Sequence, residues 1–315
     1  MTQQFTVRHL TRADGRAVGL LTEEVFHEMG AEPMHSAEAT ELMFDTPWLA
    51  NGDGLVLECQ GEMAGFGWAR DSVWNGKKFI NVGLYLRKPF RDRKHHELLT
   101  KPLLELAIAV ARKYGTHEAV VFCRSIDTFH PPILRDMGFR EHPVSMLGFR
   151  HDLESIPFFP LPPDVTVRTL SWPGEKGLFT SLSQQVFDDR PKQGEPLHPD
   201  TLDFEMTKPS FHSEQFNVVE QGGRPVGYLI ILASWEQEQL LYEIAELGIL
   251  PECRGTGLGK ALMCYGLNWV KRHGGPNALT AAFSTNPVAA LYWRLGFRPD
   301  PARTFIFFTR HLLPA

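Results

Sequence analysis

The sequence contains an internal repeat, which limits the architectures that the chain can form. Thr6-Val7-Arg8 recurs as Thr166-Val167-Arg168, 160 residues later, and Gly138-Phe139-Arg140 recurs as Gly296-Phe297-Arg298, 158 residues later. Further matches lie between these pairs, in the same order and at similar offsets. A repeat of this length indicates two copies of a domain, because the units of solenoid proteins are only about 20–50 residues long.

A proline-rich segment separates the two copies. Residues 151–163 contain four prolines. Proline fixes φ and removes a backbone donor, so we expect this segment to be an extended linker. The chain of 315 residues also suits two domains of ordinary size. We therefore predict one domain at 1–150 and a second at 164–315.

The composition argues against several classes of protein. A net charge of −5 is a poor match to a general nucleic-acid-binding surface. The four cysteines form no C-x-x-C pair, which argues against a disulfide framework or a cysteine zinc site and suits a reducing compartment. No apolar run approaches the roughly 18 residues of a transmembrane helix, and the N-terminus has no signal-peptide core. We expect a cytoplasmic protein that binds no nucleic acid, membrane or metal.

Both copies show the same late sequence of elements. A strand, a helix and a second strand are predicted at 79–86, 97–114 and 119–123 in the first copy and at 241–250, 258–273 and 278–283 in the second. Earlier strand-like runs precede them in each copy. Strands followed by a strand–helix–strand unit predict a mixed α/β sheet.

A glycine-rich junction between a predicted strand and helix is the sharpest local signal. It runs Arg254-Gly255-Thr256-Gly257-Leu258-Gly259-Lys260. Its amides, the helix N-terminus and the arginine would together cradle a phosphate or pyrophosphate. A P-loop is excluded because only three residues separate Gly255 from Gly259 and Ala261 follows Lys260. A dinucleotide fingerprint needs a glycine where Lys260 stands. A connector without a ligand remains the alternative.

The junction resembles the R-x-x-G-x-G loop of the GNAT superfamily of N-acetyltransferases. Residues 286–297 resemble a second GNAT signature, an asparagine followed by Leu-Tyr and then Leu-Gly-Phe. The resemblance covers the second copy and, more faintly, the first. It implies two tandem GNAT-type domains, each a mixed, mostly antiparallel sheet flanked by helices. It also implies acetyl-CoA as the co-substrate.

The resemblance implies specific cofactor contacts. The loop from Arg254 to Lys260 would hold the pyrophosphate of CoA. The strand residues Leu247, Gly248 and Ile249 would pair with the pantetheine arm, and Asn286 would contact the pantetheine or the substrate side. The family commonly has seven positions from this asparagine to its tyrosine, whereas Asn286 precedes Tyr292 by six. A one-residue deletion would move or replace the asparagine contact.

Acetyl transfer to an amine needs a base for the ammonium and an acid for the leaving thiolate. Tyr292 is the candidate acid, because a phenol has a pKa of about 10, near that of a thiol. Its alternative role is a half-buried helix aromatic. Glu243 and Glu246 are the candidate bases, and either could instead be a salt-bridged carboxylate at a strand edge. In a regular strand they lie on opposite faces, unless a bulge intervenes.

The first copy lacks this chemistry. Its turn reads Arg91-Asp92-Arg93, so the arginine remains while the glycines are absent. At a constant offset of 163, the counterparts of Glu243 and Glu246 are Ile80 and Gly83. The counterpart of Tyr292, which precedes Gly296 by four positions, is Leu134, four before Gly138. We therefore predict that the first domain is not catalytic.

These patterns predict an acyl-CoA-dependent N-acyltransferase that works through a ternary complex, with its chemistry in the second domain. The acceptor is expected to be a small-molecule amine rather than a protein. The alternative function is a CoA-binding sensor or adaptor without turnover. Neither the identity of the amine nor the oligomeric state follows from the sequence.

Overall fold

The structure is a computed structural model that describes residues 4–31, 33, 36–44, 54–74, 77–188, 197, 199–208, 210–236 and 239–313. The chain divides into two compact units. Unit 1 comprises residues 1–145 and 301–315, and unit 2 comprises residues 146–300.

The elements are numbered along the chain. The first half contains β1 (Phe5–His9), α1 (Gly15–Glu28), α2 (Ala37–Met43), β2 (Gly54–Cys59), β3 (Glu62–Trp74), β4 (Lys77–Leu86), α3 (Arg93–Tyr114), β5 (Glu118–Arg124), α4 (His130–Asp136) and β6 (Arg140–His151). The second half contains β7 (Val165–Thr169), α5 (Lys176–Phe187), α6 (Pro199–Met206), β8 (Phe216–Gln221), β9 (Arg224–Glu236), β10 (Gln239–Ile249), α7 (Leu258–Arg272), β11 (Ala278–Phe283), α8 (Val288–Arg294), β12 (Arg298–Pro299) and β13 (Phe305–His311).

The sheet of unit 1 has the strand order β1-β2-β3-β4-β5-β13. All neighbouring pairs are antiparallel except β4 and β5, which are parallel. Helix α3 covers one face with a stripe of buried residues that includes Leu99, Leu103 and Ala107. Helix α1 covers the other face through Leu21 and Val25. The apolar spacing of three to four residues on each helix produces these stripes.

The sheet of unit 2 has the strand order β7-β8-β9-β10-β11-β6, and its only parallel pair among the described residues is β10 with β11. Helix α7 packs on one face through Leu262, Leu267 and Trp269, all buried. Helix α5 packs on the other through Phe179 and Leu182. Each unit is thus a mixed, mostly antiparallel sheet flanked by helices, which confirms the predicted fold class.

The last strand of each sheet comes from the opposite half of the chain. Strand β13 pairs with β5 in unit 1, from Phe305↔Arg124 to His311↔Glu118. The second half of β6 pairs with β11 in unit 2, from Ala278↔His151 to Phe283↔Met146. The compact units therefore differ from the domains 1–150 and 164–315 that the sequence predicted, because local patterns do not show which distant strand a segment pairs with.

The other predicted elements agree closely with the structure. The helix predicted at 258–273 is α7, which ends where Gly274 takes a φ of +75°, a conformation that glycine adopts without strain. In the predicted linker 151–163, His151 is the last residue of β6, and residues 152–163 contain no helix or strand. Strands β6 and β13 were not predicted.

Candidate active site

The glycine-rich junction lies between β10 and α7. Gly255 and Gly257 adopt φ values of +77° and +90°, and an added Cβ at either would meet no atom within 4 Å. The chain can therefore turn sharply at an exposed surface before α7 begins at Leu258. A residue other than glycine would have a strained backbone at either position, and its side chain would project into open space in front of α7.

The amides at the start of α7 are available to an anion. The first N–H groups of any helix lack an intrahelical acceptor. The amides of Thr256, Gly257, Leu258 and Gly259 donate to no acceptor within the described ranges. The partial positive charge of the helix N-terminus adds to their attraction for a phosphate. Lys260, in the first turn, adds a full positive charge.

Arg254 holds the junction in place. Its Nε donates to the carbonyl of Ile249 at 2.9 Å, and its Nη2 donates to the carbonyl of Val186 at 2.7 Å. These bonds tie the end of β10 to the last turn of α5. The sequence predicts Arg254 as part of a phosphate cradle, and this role stays a prediction. The two hydrogen bonds show that the arginine also fixes the shape of the loop.

Strands β10 and β11 separate beside the junction. They pair only at Tyr242↔Ala278 and Glu243↔Leu279. Beyond these pairs, the Thr280 hydroxyl donates to the carbonyl of Ile244 at 2.9 Å. The part of β10 that contains Leu247, Gly248 and Ile249 has no pairing with β11 among the described residues. An extended ligand could therefore hydrogen-bond to this strand edge.

A β-bulge places both candidate bases on one face of β10. The pairing with β9 shifts between Ile244 and Glu246, so that Glu243 lies opposite Leu232 and Glu246 opposite Ile230. Leu232 and Ile230 are two apart on β9 and share a face. The two glutamates therefore also share a face, whereas a regular strand would separate them. The sequence did not determine whether β10 contains a bulge, and the structure shows that it does.

Glu246 is buried and hydrogen-bonded through both carboxylate oxygens. Its Oε1 accepts from the Tyr228 hydroxyl at 2.7 Å, and its Oε2 accepts from the Leu197 amide at 2.9 Å. Burial raises the pKa of Glu246 to about 7, although these two hydrogen bonds oppose the shift. A carboxylate with this pKa can take up and release a proton near neutral pH.

Tyr292 lies on α8 and is almost entirely buried. Its ring packs against Phe149 and Phe297, with centroid distances of 5.4 and 5.5 Å. Burial raises the pKa of its phenol, the Thr280 hydroxyl lowers it in part, and the charge of Glu243 raises it further. The charge of Glu243 therefore affects the ionisation of Tyr292.

Asn286 contributes to the start of α8. Its side-chain oxygen accepts a hydrogen bond from the amide of Val288 at 3.0 Å. This turn fixes the direction in which α8 leaves β11. A contact of Asn286 with a cofactor remains a prediction, and it would have to use the side-chain nitrogen or a reoriented amide.

Comparison with known proteins gives the family of this region. A model of the Acetyltransferase (GNAT) family matches residues 182–297. Residues 182–297 form a GNAT acetyltransferase domain. The prediction of a GNAT-type acetyltransferase domain is therefore confirmed.

Two relatives show how far the likeness extends. The mycothiol acetyltransferase of Streptomyces griseus is 33% identical over 141 residues, which span 44% of this chain and 44% of that protein. The match therefore covers less than half of that relative's length. The mycothiol acetyltransferase of Thermobispora bispora is 25% identical over 302 residues, spanning 94% of this chain and 96% of that protein.

Solved structures share the two-unit GNAT fold. A GCN5-related N-acetyltransferase from Sphaerobacter thermophilus has a TM-score of 0.73 at 18% identity, and the match covers 99% of this chain and 96% of that one. A tandem GNAT protein from the clavulanic acid biosynthesis pathway has a TM-score of 0.71 at 16% identity, covering 99% and 100%. The predicted tandem architecture is confirmed.

The GNAT fold of unit 1 carries different side chains at the equivalent positions. Asp92 stands before α3, and its carboxylate accepts from the amide of His95 at 3.1 Å. Strand β4 has Gly83 at the counterpart of Glu246, and an added Cβ there would lie 2.1 Å from the Trp68 ring. The place of the second candidate base is thus occupied by an indole.

The bulge corrects one counterpart in unit 1. In both units the parallel pairing consists of two residue pairs. The second pair is Asn81↔Val120 in unit 1 and Glu243↔Leu279 in unit 2. The counterpart of Glu243 is therefore Asn81, and the prediction of Ile80 was wrong because Ala245 is an extra residue in β10.

Two other kinds of feature are absent from the described residues. Within the ranges given above, no helix is long and apolar enough to cross a membrane. In the same ranges, no group of three or more His, Cys, Asp or Glu side chains is arranged to hold a metal ion.

Sequence reasoning missed Tyr228 and Leu197. Tyr228 is one of several apolar residues in β9, and nothing in the alternation pattern distinguishes its hydroxyl from any other. Leu197 acts through its backbone amide, which carries no sequence signal. The pairing of Tyr228 with Gly248 was recognisable only once the strand register was known.

Proposed function

We propose that the protein transfers an acyl group, most simply acetyl from acetyl-CoA, to a primary amine by direct attack in a ternary complex. The chemistry takes place in unit 2. The observation that carries this proposal is the buried Glu246, whose pKa near 7 suits a general base, on the strand that leads into an anion-binding helix end.

The cofactor binds along β10 and the start of α7. The amides of residues 255–259 and the side chain of Lys260 hold the pyrophosphate, while Arg254 keeps the loop in shape. The pantetheine arm lies against the unpaired edge of β10 at Leu247, Gly248 and Ile249. Asn286 and Tyr292 lie on the opposite side of the split between β10 and β11. The residues fit acetyl-CoA because amides, a helix end and a cation face its negatively charged phosphates.

The proton steps assign different roles to the carboxylate and the phenol. Glu246 removes a proton from the substrate ammonium, directly or through water, and the neutral amine attacks the thioester carbonyl. The C–N bond forms, the C–S bond breaks, and the leaving thiolate takes a proton from Tyr292. The nitrogen loses its second proton as the amide forms, and this proton restores the Tyr292 phenol through water. The buried phenol stays neutral at physiological pH, so its proton is available. Glu243, on the same face as Glu246, is the alternative base.

The acceptor is a small-molecule amine. The relatives named mycothiol acetyltransferase suggest mycothiol without its acetyl group as the first acceptor to try. All four cysteines lie in the described part of the chain, and none forms a disulfide. This suits a reducing compartment such as the cytoplasm. Unit 1 does not catalyse transfer, because Asp92 and Trp68 occupy the positions used in unit 2.

The test is a transfer assay in which CoA release and the acetylated product are both measured. Deacetylated mycothiol, polyamines, amino sugars and amino acids are the acceptors, and Glu246→Gln is compared with Glu243→Gln. We expect Glu246→Gln to lose about 10²-fold or more in kcat. A larger loss in Glu243→Gln would transfer the role of base to Glu243. Cofactor binding without product from any amine would favour the CoA-binding sensor.

A further inference from the structure

The close approach of Tyr228 and Gly248 joins β9 to the candidate base. The two residues lie opposite each other in the strand register. A Cβ at Gly248 would lie 2.5 Å from Cε1 of Tyr228 and 2.9 Å from its hydroxyl oxygen. The ring therefore lies across the backbone of Gly248, in space that only glycine leaves open.

This arrangement directs the Tyr228 hydroxyl to Glu246. Glu246 precedes Gly248 by two positions and shares its face of β10. The ring is held from behind by Phe179 of α5, at a centroid distance of 5.3 Å and nearly perpendicular. Tyr228 is 1% exposed, so the hydroxyl can reach few partners other than the carboxylate. The hydrogen bond of 2.7 Å fixes the orientation of that carboxylate.

Few other charged side chains lie on the face of the sheet that contains Glu246. Burial raises its pKa, and the hydrogen bonds from the Leu197 amide and the Tyr228 hydroxyl lower it in part. On the helices over this face, the buried Glu205 pairs with Lys208 at 2.5 Å. On its own strand, Glu243 shares the face. Tyr228 is therefore the one side chain among the described residues that hydrogen-bonds to Glu246.

We propose that Tyr228 is a positioning residue for Glu246, and that residue 248 is glycine because the Tyr228 ring must lie across it. This inference rests on the proposed function, since it concerns the same base. It adds a role for Gly248 beyond contact with the cofactor. The hydroxyl stabilises the ionised carboxylate and aims its lone pairs, while the ring does not contact substrate.

The experiment isolates the protonation of Glu246 by infrared spectroscopy of the full-length protein. The protonated carboxyl band is obtained as the difference between wild type and Glu246→Gln across pH 5–9. The same difference is then taken in a Tyr228→Phe background. Loss of a hydrogen bond to a charged group should raise the midpoint by about one pH unit. Transfer to deacetylated mycothiol at pH 7 should fall about five-fold and recover at pH 9.

Two further variants complete the test. Gly248→Ala pushes the Tyr228 ring away and should raise the midpoint in the same direction. Tyr242→Phe removes a hydroxyl from the opposite face of β10, where the ring packs on Trp269, and should leave the midpoint unchanged. An unchanged midpoint in Tyr228→Phe would overturn the positioning role. Full transfer activity in Glu246→Gln would instead overturn the proposed base, which separates the two failures.

Discussion

Asp92 accepts a hydrogen bond from the backbone amide of His95 at 3.1 Å, so a carboxylate of the chain itself closes the N-terminus of α3. Its other oxygen lies 2.5 Å from the His95 ring nitrogen. At the equivalent place in unit 2, α7 follows Gly257 and has no side chain at its N-terminus. The two copies of the fold therefore differ at the N-terminus of the corresponding helix. At α3 a carboxylate of the chain occupies the position where an anion would bind, whereas at α7 this position is available.

This difference predicts one acetyl-CoA site per chain. The pyrophosphate of a second CoA at the N-terminus of α3 would lie close to the Asp92 carboxylate, and the repulsion between the two negative charges opposes binding. Calorimetric titration of acetyl-CoA into the wild type should therefore give a stoichiometry of one. Two sites would show that unit 1 binds CoA without glycines and would contradict the prediction of a single site.

Gly257→Val should abolish this site. A valine at φ +90° is strained, and its side chain would occupy the path of the phosphate. Gly274→Val is the matched control, because Gly274 also has a positive φ and open space but lies at the other end of α7. Both variants should lose a similar amount of thermal stability, while only Gly257→Val should lose binding in the titration. Equal affinity in both would remove the loop from the cofactor site.

The parts of this site that could be predicted are those with local physical signals. Glycines before an amphipathic helix predict an anion-binding junction, and the structure has α7 beginning at Leu258 as expected. Strand periodicity also placed Glu243 and Glu246 on β10. Both features depend on residues that are neighbours in sequence.

The parts that could not be predicted depend on register. The bulge at Ala245 changes the repeat offset from 162 between Asn81 and Glu243 to 163 between Gly83 and Glu246. A constant offset hides a change of one residue. The hydrogen bond of Tyr228 to Glu246 follows from that register, and the pairing of β13 with β5 joins segments far apart in the chain.

The raised pKa of Glu246 predicts a pH-dependent gain of stability in Glu246→Gln. The folded-state pKa of about 7 lies above the ordinary value of 4.5. The stability contributed by the protonated carboxyl is therefore present below pH 4.5 and is lost as the pH rises through 7. The contribution of Glu246 to the free energy of unfolding falls by about 3 kcal/mol over this range. Glutamine does not titrate, so Glu246→Gln shows no such fall.

The measurement is the melting temperature of both proteins between pH 5 and 8. The difference between Glu246→Gln and wild type should increase with pH in favour of glutamine, by about 5 °C or more. The comparison at pH 5 serves as the control, because wild-type Glu246 is then protonated. A difference that does not change across this range would contradict the raised pKa.

Tyr292→Phe should lower turnover with little effect on cofactor affinity. The substitution keeps the ring against Phe149 and Phe297 and removes only the hydroxyl. Without the acid, the thiolate leaves unprotonated, and kcat should fall about 10²-fold. Tyr265→Phe, on α7, is the control and should retain activity. Equal kcat in Tyr292→Phe would show that another group protonates the thiolate.

Removal of residues 304–315 should unfold the edge of unit 1. Strand β13 completes its sheet beside β5, and Phe307 and Phe308 are each 1% exposed. Truncation therefore leaves one edge of β5 unpaired, while β4 still pairs with the other edge, and it opens the core. Hydrogen exchange should show lost protection of the β5 amides. Phe308→Ala keeps the strand but removes one core ring, so it should destabilise by only about 3–5 kcal/mol. Full protection of the β5 amides in the truncated chain would contradict the pairing of β13 with β5. It would instead support independent domains at 1–150 and 164–315.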